Sequence, residues 1–184
     1  MSRGKSAALK NSARRQKMVD SRYNSDSVSK LIRAVMKDGK ASIARAIVYD
    51  AMTAVTEKLP KHVELAEHEG VRQKEEMVLE KVLEVITPRV EVKSRRVGGA
   101  NYQVPMMVNR ERGRTLALRW LVQSARDRKE GSPMNIKLMK EMLDTLEGKS
   151  SALMKKETQD KMANANRANA NLARRDQVKK DKPE

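Results

Sequence analysis

The segment spanning residues 90–108, VEVKSRRVGGANYQVPMMV, constrains the fold most strongly. Val90 and Val92 alternate with polar residues on one side of the Gly98-Gly99 pair. The alternating positions on the other side are Tyr102, Val104, Met106 and Val108. Period-two alternation on both sides of a glycine pair predicts two antiparallel strands joined by a tight turn. Pro105 cannot donate a ladder hydrogen bond, so we expect its strand to lie at an edge there.

Helical periodicity precedes and follows this hairpin. The first of three preceding segments begins at a Ser/Asp cap over residues 25–27 and ends at Asp38-Gly39, and the next two end at Pro60 and Pro88. Apolar residues recur along each at the spacing of one helix face, which predicts helices that bury their stripes against each other. The predicted inward residues are Val28, Leu31, Ile32 and Val35 in the first; Ile43, Ala46, Ile47, Ala51 and Val55 in the second; and Val71, Met77 or Val78, Val82 and Val85 or Ile86 in the third.

A fourth helix is predicted over residues 110–129, with Leu118, Leu121, Val122 and Ala125 inward. We interpret Trp120 as a core-edge residue. Near the C-terminus, residues 149–172 predict a helix with a thin apolar stripe made of Met154, Met162 and Ala165. Its many asparagines lower helix propensity, so its last turns should depend on a partner for their order.

The charge of the chain points to a polyanionic partner. Lys and Arg total 40 against 24 Asp and Glu, a formal net charge of +16, and such an excess repels itself in a compact chain. No apolar run is long enough to span a bilayer. Residues 59–87 carry seven Glu against four Lys and Arg. We expect this acidic segment to face away from the polyanion, although an ordinary solvated helix surface explains it equally well.

The hairpin concentrates positive charge beside its turn, at Lys93, Arg95 and Arg96. A lone hairpin is marginally stable in water, and like charges weaken it further. Contact with phosphates would neutralise these residues, and Gly98 and Gly99 would allow the backbone to come close to a ligand. We therefore favour a nucleic-acid-binding arm over a solvated turn.

The fourth predicted helix adds a row of arginines. Arg112, Arg119 and Arg126 are seven residues apart, close to two helical turns, so they share one face. Arg110, Arg114 and Arg128 extend the set. An arginine fork holds a phosphate with two hydrogen bonds, which suits contact with a folded nucleic-acid backbone. Aromatic residues total 2%, so a module that reads bases by aromatic stacking is not expected.

Residues 1–17 hold six basic residues and no acidic residue. We interpret them as a polyanion-binding arm; the alternative is an organellar transit peptide, which has similar composition. The chain has no Cys, and His62 and His68 belong to no metal-binding pattern. No phosphate loop, carboxylate pair or nucleophile–base pair is recognisable. We therefore expect no metal, no cofactor and no enzymatic activity.

Taken together, PRVEVKSRRVGGANYQVP and TLALRWLVQSARDR resemble the signature of the family of small-subunit ribosomal protein seven, bacterial and organellar type. MKDGKASIARAIVY is similar to its first helix–turn–helix, and DKMANANRANANLARR to its last helix. The resemblance covers about residues 18–172. It implies a mainly α fold, a bundle of about six helices with a protruding two-stranded β-hairpin arm between helices three and four. It also implies an rRNA-binding protein that organises the 3′ major (head) domain of the small subunit.

Further expectations follow from the resemblance. The protein should lie near the exit-site tRNA and the messenger path, beside head proteins that include small-subunit protein eleven, in a bacterium or in the plastid or mitochondrial matrix. A helical RNA-binding domain should span 18–172, with its arm at 89–109, between a basic arm (1–17) and a charged tail (173–184). The residues implied on the helix that faces the tRNA or a partner protein are Met162, Asn166 and Arg167. The implied RNA-binding residues are Arg3, Lys5, Lys10, Arg14, Arg15, Lys17, Lys40, Lys93, Arg95, Arg96, Gly98, Gly99, Arg110, Arg112, Arg114 and Arg119.

The runner-up hypothesis is an architectural DNA-binding protein with a basic hairpin arm. Such arms insert an apolar or proline wedge between base steps. The tip of this arm is Val97-Gly98-Gly99, which favours the ribosomal interpretation.

Overall fold

The computed structural model describes residues 19–60, 63, 73–97 and 99–171. Within these residues the chain forms six α-helices, a two-stranded antiparallel sheet between the third and fourth helices, and a short 3₁₀ turn. The predicted mainly α fold with its hairpin is therefore confirmed. The elements are α1 (Asp26–Val35), α2 (Ala41–Glu57), α3 (Lys74–Ile86), β1 (Val90–Val97), β2 (Ala100–Met107), α4 (Arg110–Asp127), α5 (Met134–Leu146), α6 (Ser151–Ala165) and the 3₁₀ turn (Arg167–Ala170).

Helices α1, α3 and α4 bury the stripes that their periodicity predicts. All four predicted residues of α1 are buried, as are the four of α4. In α3 the open alternatives resolve to Val78 and Ile86, while Val71 lies outside the described residues. Trp120 is partly buried against the core. A single apolar cluster, without phenylalanine, therefore joins the helices.

The predicted stripe of α2 was wrong at two positions. Ile43 is 56% exposed and Ala46 is exposed too. The buried residues are Ala44, Val48, Ala51, Met52 and Val55. Both stripes have helical spacing, so periodicity could not separate them. The observed stripe presents small alanines, which allow neighbouring helices to approach the backbone closely.

The hairpin has the register that a two-residue turn requires. Val97 pairs with Ala100 and Val90 with Met107. Gly99 has a φ of 89°, which glycine adopts without the steric cost of a Cβ. At the base, Gly113 of α4 lies against the connection between α3 and β1, where an added Cβ would meet Thr87 Cγ2 at 2.9 Å. A glycine there lets α4 pack closely beside the root of the arm.

The C-terminal helix packs through alanines and not through the predicted methionines. Met154 and Met162 are 61% and 45% exposed and the predicted Ala165 is exposed too, whereas Ala152 and Ala163 are buried. The 3₁₀ turn that follows α6 reaches the arm, where Asn169 Nδ2 donates to the Gln103 carbonyl oxygen at 3.1 Å. Small residues allow this close contact, so the segment supports one side of the hairpin.

Basic side chains satisfy the ends of three neighbouring helices. Arg126 Nη2 donates to the carbonyl oxygens of Ala34 and Val35, both at 3.1 Å, at the end of α1. Lys156 Nζ donates to the Val85 carbonyl of α3 at 2.6 Å. Lys137 Nζ donates to the Arg128 carbonyl after α4 at 2.7 Å. Carbonyls at a helix C-terminus lack intrahelical donors and carry partial negative charge, so these cations stabilise the helix ends.

A buried carboxylate joins three helices around Glu141. This side chain is fully buried, and its Oε2 accepts from Arg128 Nε at 2.9 Å and Nη2 at 2.8 Å. Its Oε1 accepts from the Ala152 amide at 3.1 Å, at the start of α6. Arg128 also pairs with Asp144. Burial opposes the charge of Arg128, but the hydrogen bonds that it donates to Asp144 and Glu141 outweigh burial and raise the pKa of the guanidinium.

Replacing Glu141 by Gln should lower the free energy of unfolding by about 2–3 kcal/mol. The substitution leaves the partly buried charge of Arg128 without its main partner. The remaining pair with Asp144 makes the loss of stability smaller than is usual when a buried ion pair is broken. Denaturant-induced unfolding measures the change. Glu147→Gln is the control: it alters an exposed pair with Lys149 and should change stability by less than about 0.5 kcal/mol. Equal stability of the two variants would contradict the role given to Glu141.

Candidate nucleic-acid interface

The predicted arm residues divide between the two faces of the hairpin. Because neighbouring strand residues point to opposite faces, Lys93 and Arg95 lie on one face and Arg96 on the other. Lys93 and Arg96 are exposed. Arg95 is half-buried, and its Nη2 donates to the Met106 sulfur at 3.6 Å. The arm therefore presents cations on both faces, and Arg95 also packs against the strand beside it.

Arg112 connects α4 to the root of the arm. Its Nη2 donates to Glu91 Oε1 at 2.9 Å and its Nε to Oε2 at 3.4 Å. The hydrogen bond from Arg112 lowers the pKa of the Glu91 carboxyl, and Lys93 Nζ, 3.5 Å from Oε2, acts in the same direction. This fork fixes β1 relative to α4, so Arg112 has a positioning role that the sequence pattern does not reveal.

Arg114 also makes contacts within the protein. It pairs with Glu80 of α3, and its Nη2 donates to Ser27 Oγ of α1 at 3.0 Å. Glu80 and Glu84 line a cavity of about 320 Å³ together with Arg89, Arg110 and Arg114. The expectation that the acidic segment faces away from the basic surface was therefore wrong for these two glutamates, because α3 packs beside the start of α4.

Lys40, Arg110 and Arg119 are exposed. Lys40 lies at the N-terminal end of α2, directly after the turn in which Asp38 and Gly39 have positive φ. Arg119 borders a groove between α1 and α4. The six predicted N-terminal residues, Gly98, and the histidines His62 and His68 lie outside the described residues.

Sequence reasoning missed two basic residues of α1. Lys30 and Arg33 line the same groove as Arg119. Their three-residue spacing, opposite the apolar stripe of α1, was a usable signal because residues three apart share a helix face. The basic surface thus includes side chains from α1, the start of α2, the hairpin and α4.

The predicted partner-side residues lie at the end of α6. Met162 is 45% exposed, and its carbonyl accepts from Asn166 Nδ2 at 2.9 Å. Arg167 is exposed at the first position of the 3₁₀ turn. Asn166 therefore helps to end the helix, while Met162 and Arg167 are available on its surface.

This chain is similar in sequence to known proteins of one family. Residues 7–167 match the family described as ribosomal protein S7p/S5e. This chain belongs to that family. Its relatives include small ribosomal subunit protein uS7 of Nitrosococcus oceani, 47% identical over 156 residues, which cover 85% of this chain and 92% of the relative. The corresponding protein of Dictyoglomus thermophilum is 47% identical over 146 residues, 79% of this chain and 85% of the relative.

Family membership decides between the predicted classes. The S7p/S5e chain is a structural ribosomal protein and not an enzyme, so the ribosomal interpretation is confirmed at this level. The relatives named above are bacterial proteins of the small subunit. The DNA-binding alternative receives no support from these matches. Among the described helices, none has the length and apolar character needed to cross a membrane.

The Glu91–Arg112 pair predicts a pH dependence of stability. A carboxyl with a lowered pKa stabilises the fold above its ordinary value of 4.5, and this contribution is lost as pH falls through the folded-state pKa. Glu91→Gln should cost about 0.5 kcal/mol at neutral pH, as partly exposed pairs do, and this difference should vanish in acid. Unfolding curves between neutral and acidic pH test this, with exposed Glu157→Gln as control. Parallel curves for wild type and Glu91→Gln would contradict the prediction.

Proposed function

We propose that this S7p/S5e chain binds the rRNA of the small subunit directly and organises its 3′ major (head) domain. The observation that carries the proposal is the exposure of basic residues on several packed elements. Arg33 lies on α1, Lys40 precedes α2, Lys93 and Arg96 lie on the arm, and Arg110 and Arg119 lie on α4. Lys30 of α1 is partly exposed and paired with Asp26. Phosphates bound by residues from separate elements must lie in a fixed relative arrangement.

Rigid spacing between these elements supports an organising role. The Arg112–Glu91 fork holds the arm to α4, and Arg114 links α4 to α1 and α3. Because the spacing of the cations is fixed, the surface favours the RNA conformation whose phosphates match it. Binding then requires little ordering of the protein. We also propose that the basic segment 1–17 and Gly98, which lie outside the described residues, contribute to RNA binding.

We also propose which components of the ribosome the arm and the C-terminal helix contact. We place the arm near the exit-site tRNA and the messenger path, where its cations would meet further phosphates. We assign Met162, Asn166 and Arg167 to contact with a neighbouring head protein, small-subunit protein eleven. An exposed methionine beside an arginine supports a protein partner, because both residue types are enriched at protein–protein interfaces.

Affinity for the isolated 3′ major domain of small-subunit rRNA should depend steeply on salt. If about 6–10 phosphates are neutralised, the affinity should fall roughly 10³–10⁵-fold between about 50 and 200 mM monovalent salt. Filter binding or fluorescence anisotropy measures it. A flat salt response, or equal affinity for an unrelated RNA of the same length, would contradict the proposed function.

Met162→Ser should weaken co-assembly with small-subunit protein eleven and leave RNA binding unchanged. Met162 is partly exposed, so its replacement removes partner contact with little effect on folding. Association of the two proteins on the rRNA domain is the measurement. Met154→Ser, on the same helix and more exposed, is the matched control and should assemble normally. Normal assembly of Met162→Ser would remove this residue from the proposed contact.

A further inference from the structure

A groove between α1 and α4 combines an apolar floor with a basic rim. Its floor is formed by Ala34 of α1 and by the outer edges of Leu118 and Val122 of α4, which are only 4% and 3% exposed. Lys30, Arg33, Arg119 and Arg126 also line it. We call it the α1–α4 groove. Its volume is about 490 Å³, within the range of small-molecule binding clefts. Phosphate contacts need only exposed cations, and these can lie on a convex surface. A recess with apolar side chains at its floor can also hold an uncharged group.

The charges around the groove are of one sign. None of the residues that line it in the described part of the chain is acidic. Lys30, which lines the groove, pairs with Asp26 at 2.7 Å, and Arg33 Nε donates to the Ser29 carbonyl at 3.3 Å. Arg126 donates to the end of α1. These contacts hold three of the cations in place, while Arg119 is exposed on the opposite wall.

Comparison with the cavity around Arg110 sharpens the assignment. That cavity is lined by Glu80 and Glu84 as well as by arginines, so an anion entering it meets carboxylates. The α1–α4 groove offers apolar area for a flat group and cations for the charges attached to it. A nucleotide that has left its stack has this chemistry, with an aromatic base between two phosphates. Proteins stack such bases on aromatic side chains or on the planes of arginine guanidinium groups, and they also hold extruded bases between apolar side chains.

We propose that the α1–α4 groove binds one unstacked nucleotide of the bound rRNA. Its base lies over Leu118 and Val122, and the adjoining phosphates contact Arg33 and Arg119. The proposal rests on the proposed rRNA binding and adds a site that selects a single-stranded nucleotide. The groove would therefore recognise a loop or bulge, whereas the arm contacts the backbone without regard to pairing.

A groove-filling substitution separates base binding from phosphate binding. Thr115 lies on the groove and its hydroxyl donates to the Glu111 carbonyl at 2.8 Å. Thr115→Leu adds bulk and leaves the charge unchanged. We expect about a tenfold loss of affinity for the rRNA domain with an unchanged salt slope, which is at the low end of the range for one base stacked on an aromatic side chain because this floor is aliphatic. Arg119→Gln should weaken binding and reduce the salt slope by about 1.

Thr158→Leu is the matched control, because Thr158 is an exposed helical threonine that bonds its own i−4 carbonyl at 2.8 Å. It should bind RNA as the wild type does. A second readout is chemical modification of unpaired bases in the complex. One unpaired base should be protected by the wild type and by Thr158→Leu, and reactive again with Thr115→Leu.

The possible outcomes distinguish this site from RNA binding in general. Wild-type affinity of Thr115→Leu together with unchanged base protection would overturn the nucleotide site and leave the proposed function standing. Normal RNA binding by Thr115→Leu with failed subunit assembly would assign the groove to a protein and overturn the proposal. Absence of specific wild-type binding to the rRNA domain would overturn both.

Discussion

The buried carboxylate of Glu141 is the interaction on which the arrangement of the bundle depends. It holds Arg128 after α4 and the first turn of α6, while belonging to α5 itself. The position of α6 then determines the support of the arm, because the turn after α6 contacts β2 through Asn169 and Gln103. A side chain in the interior thereby controls a surface element far along the chain. Burying one carboxylate is costly, but here a guanidinium and a helix N-terminus together compensate it.

Some basic residues of this chain bond helix ends within the protein, and others are exposed and available to a polyanion. Arg126, Lys137 and Lys156 satisfy carbonyls at helix ends, whereas Arg119, Arg96 and Lys40 are exposed. Arg112 and Arg114 are intermediate, because each is paired with a glutamate. Partly exposed pairs of this kind contribute about 1 kcal/mol or less, so a phosphate can compete for the arginine. The net charge of +16 therefore overstates the number of cations available to a polyanion.

The hairpin shows why an arm can be both exposed and well oriented. Its strands pair only with each other in the described sheet, which would give marginal stability in isolation. Contacts at its root compensate: Gly113 allows α4 to pack against the connection that leads into β1, and Arg112 donates hydrogen bonds to Glu91. Val104 is fully buried, so the middle of β2 also packs against the protein. The basic tip can then extend without a core of its own.

The sequence by itself determined five of the six described helices, the hairpin and the basic character of the surface, whereas α5 was not located from its sequence pattern. Apolar periodicity, the glycine pair and the count of lysines and arginines are local or additive properties, so they could be predicted without a structure. Only the tertiary structure decided which of two helical stripes α2 buries, and that alanines of α6 replace its methionines in packing. It also decided which arginines turn inward to glutamates or to helix ends, and that Lys30 and Arg33 meet Arg119 across a groove. These outcomes depend on which elements become neighbours, since a side chain's partner comes from a distant part of the chain that its own sequence window does not contain.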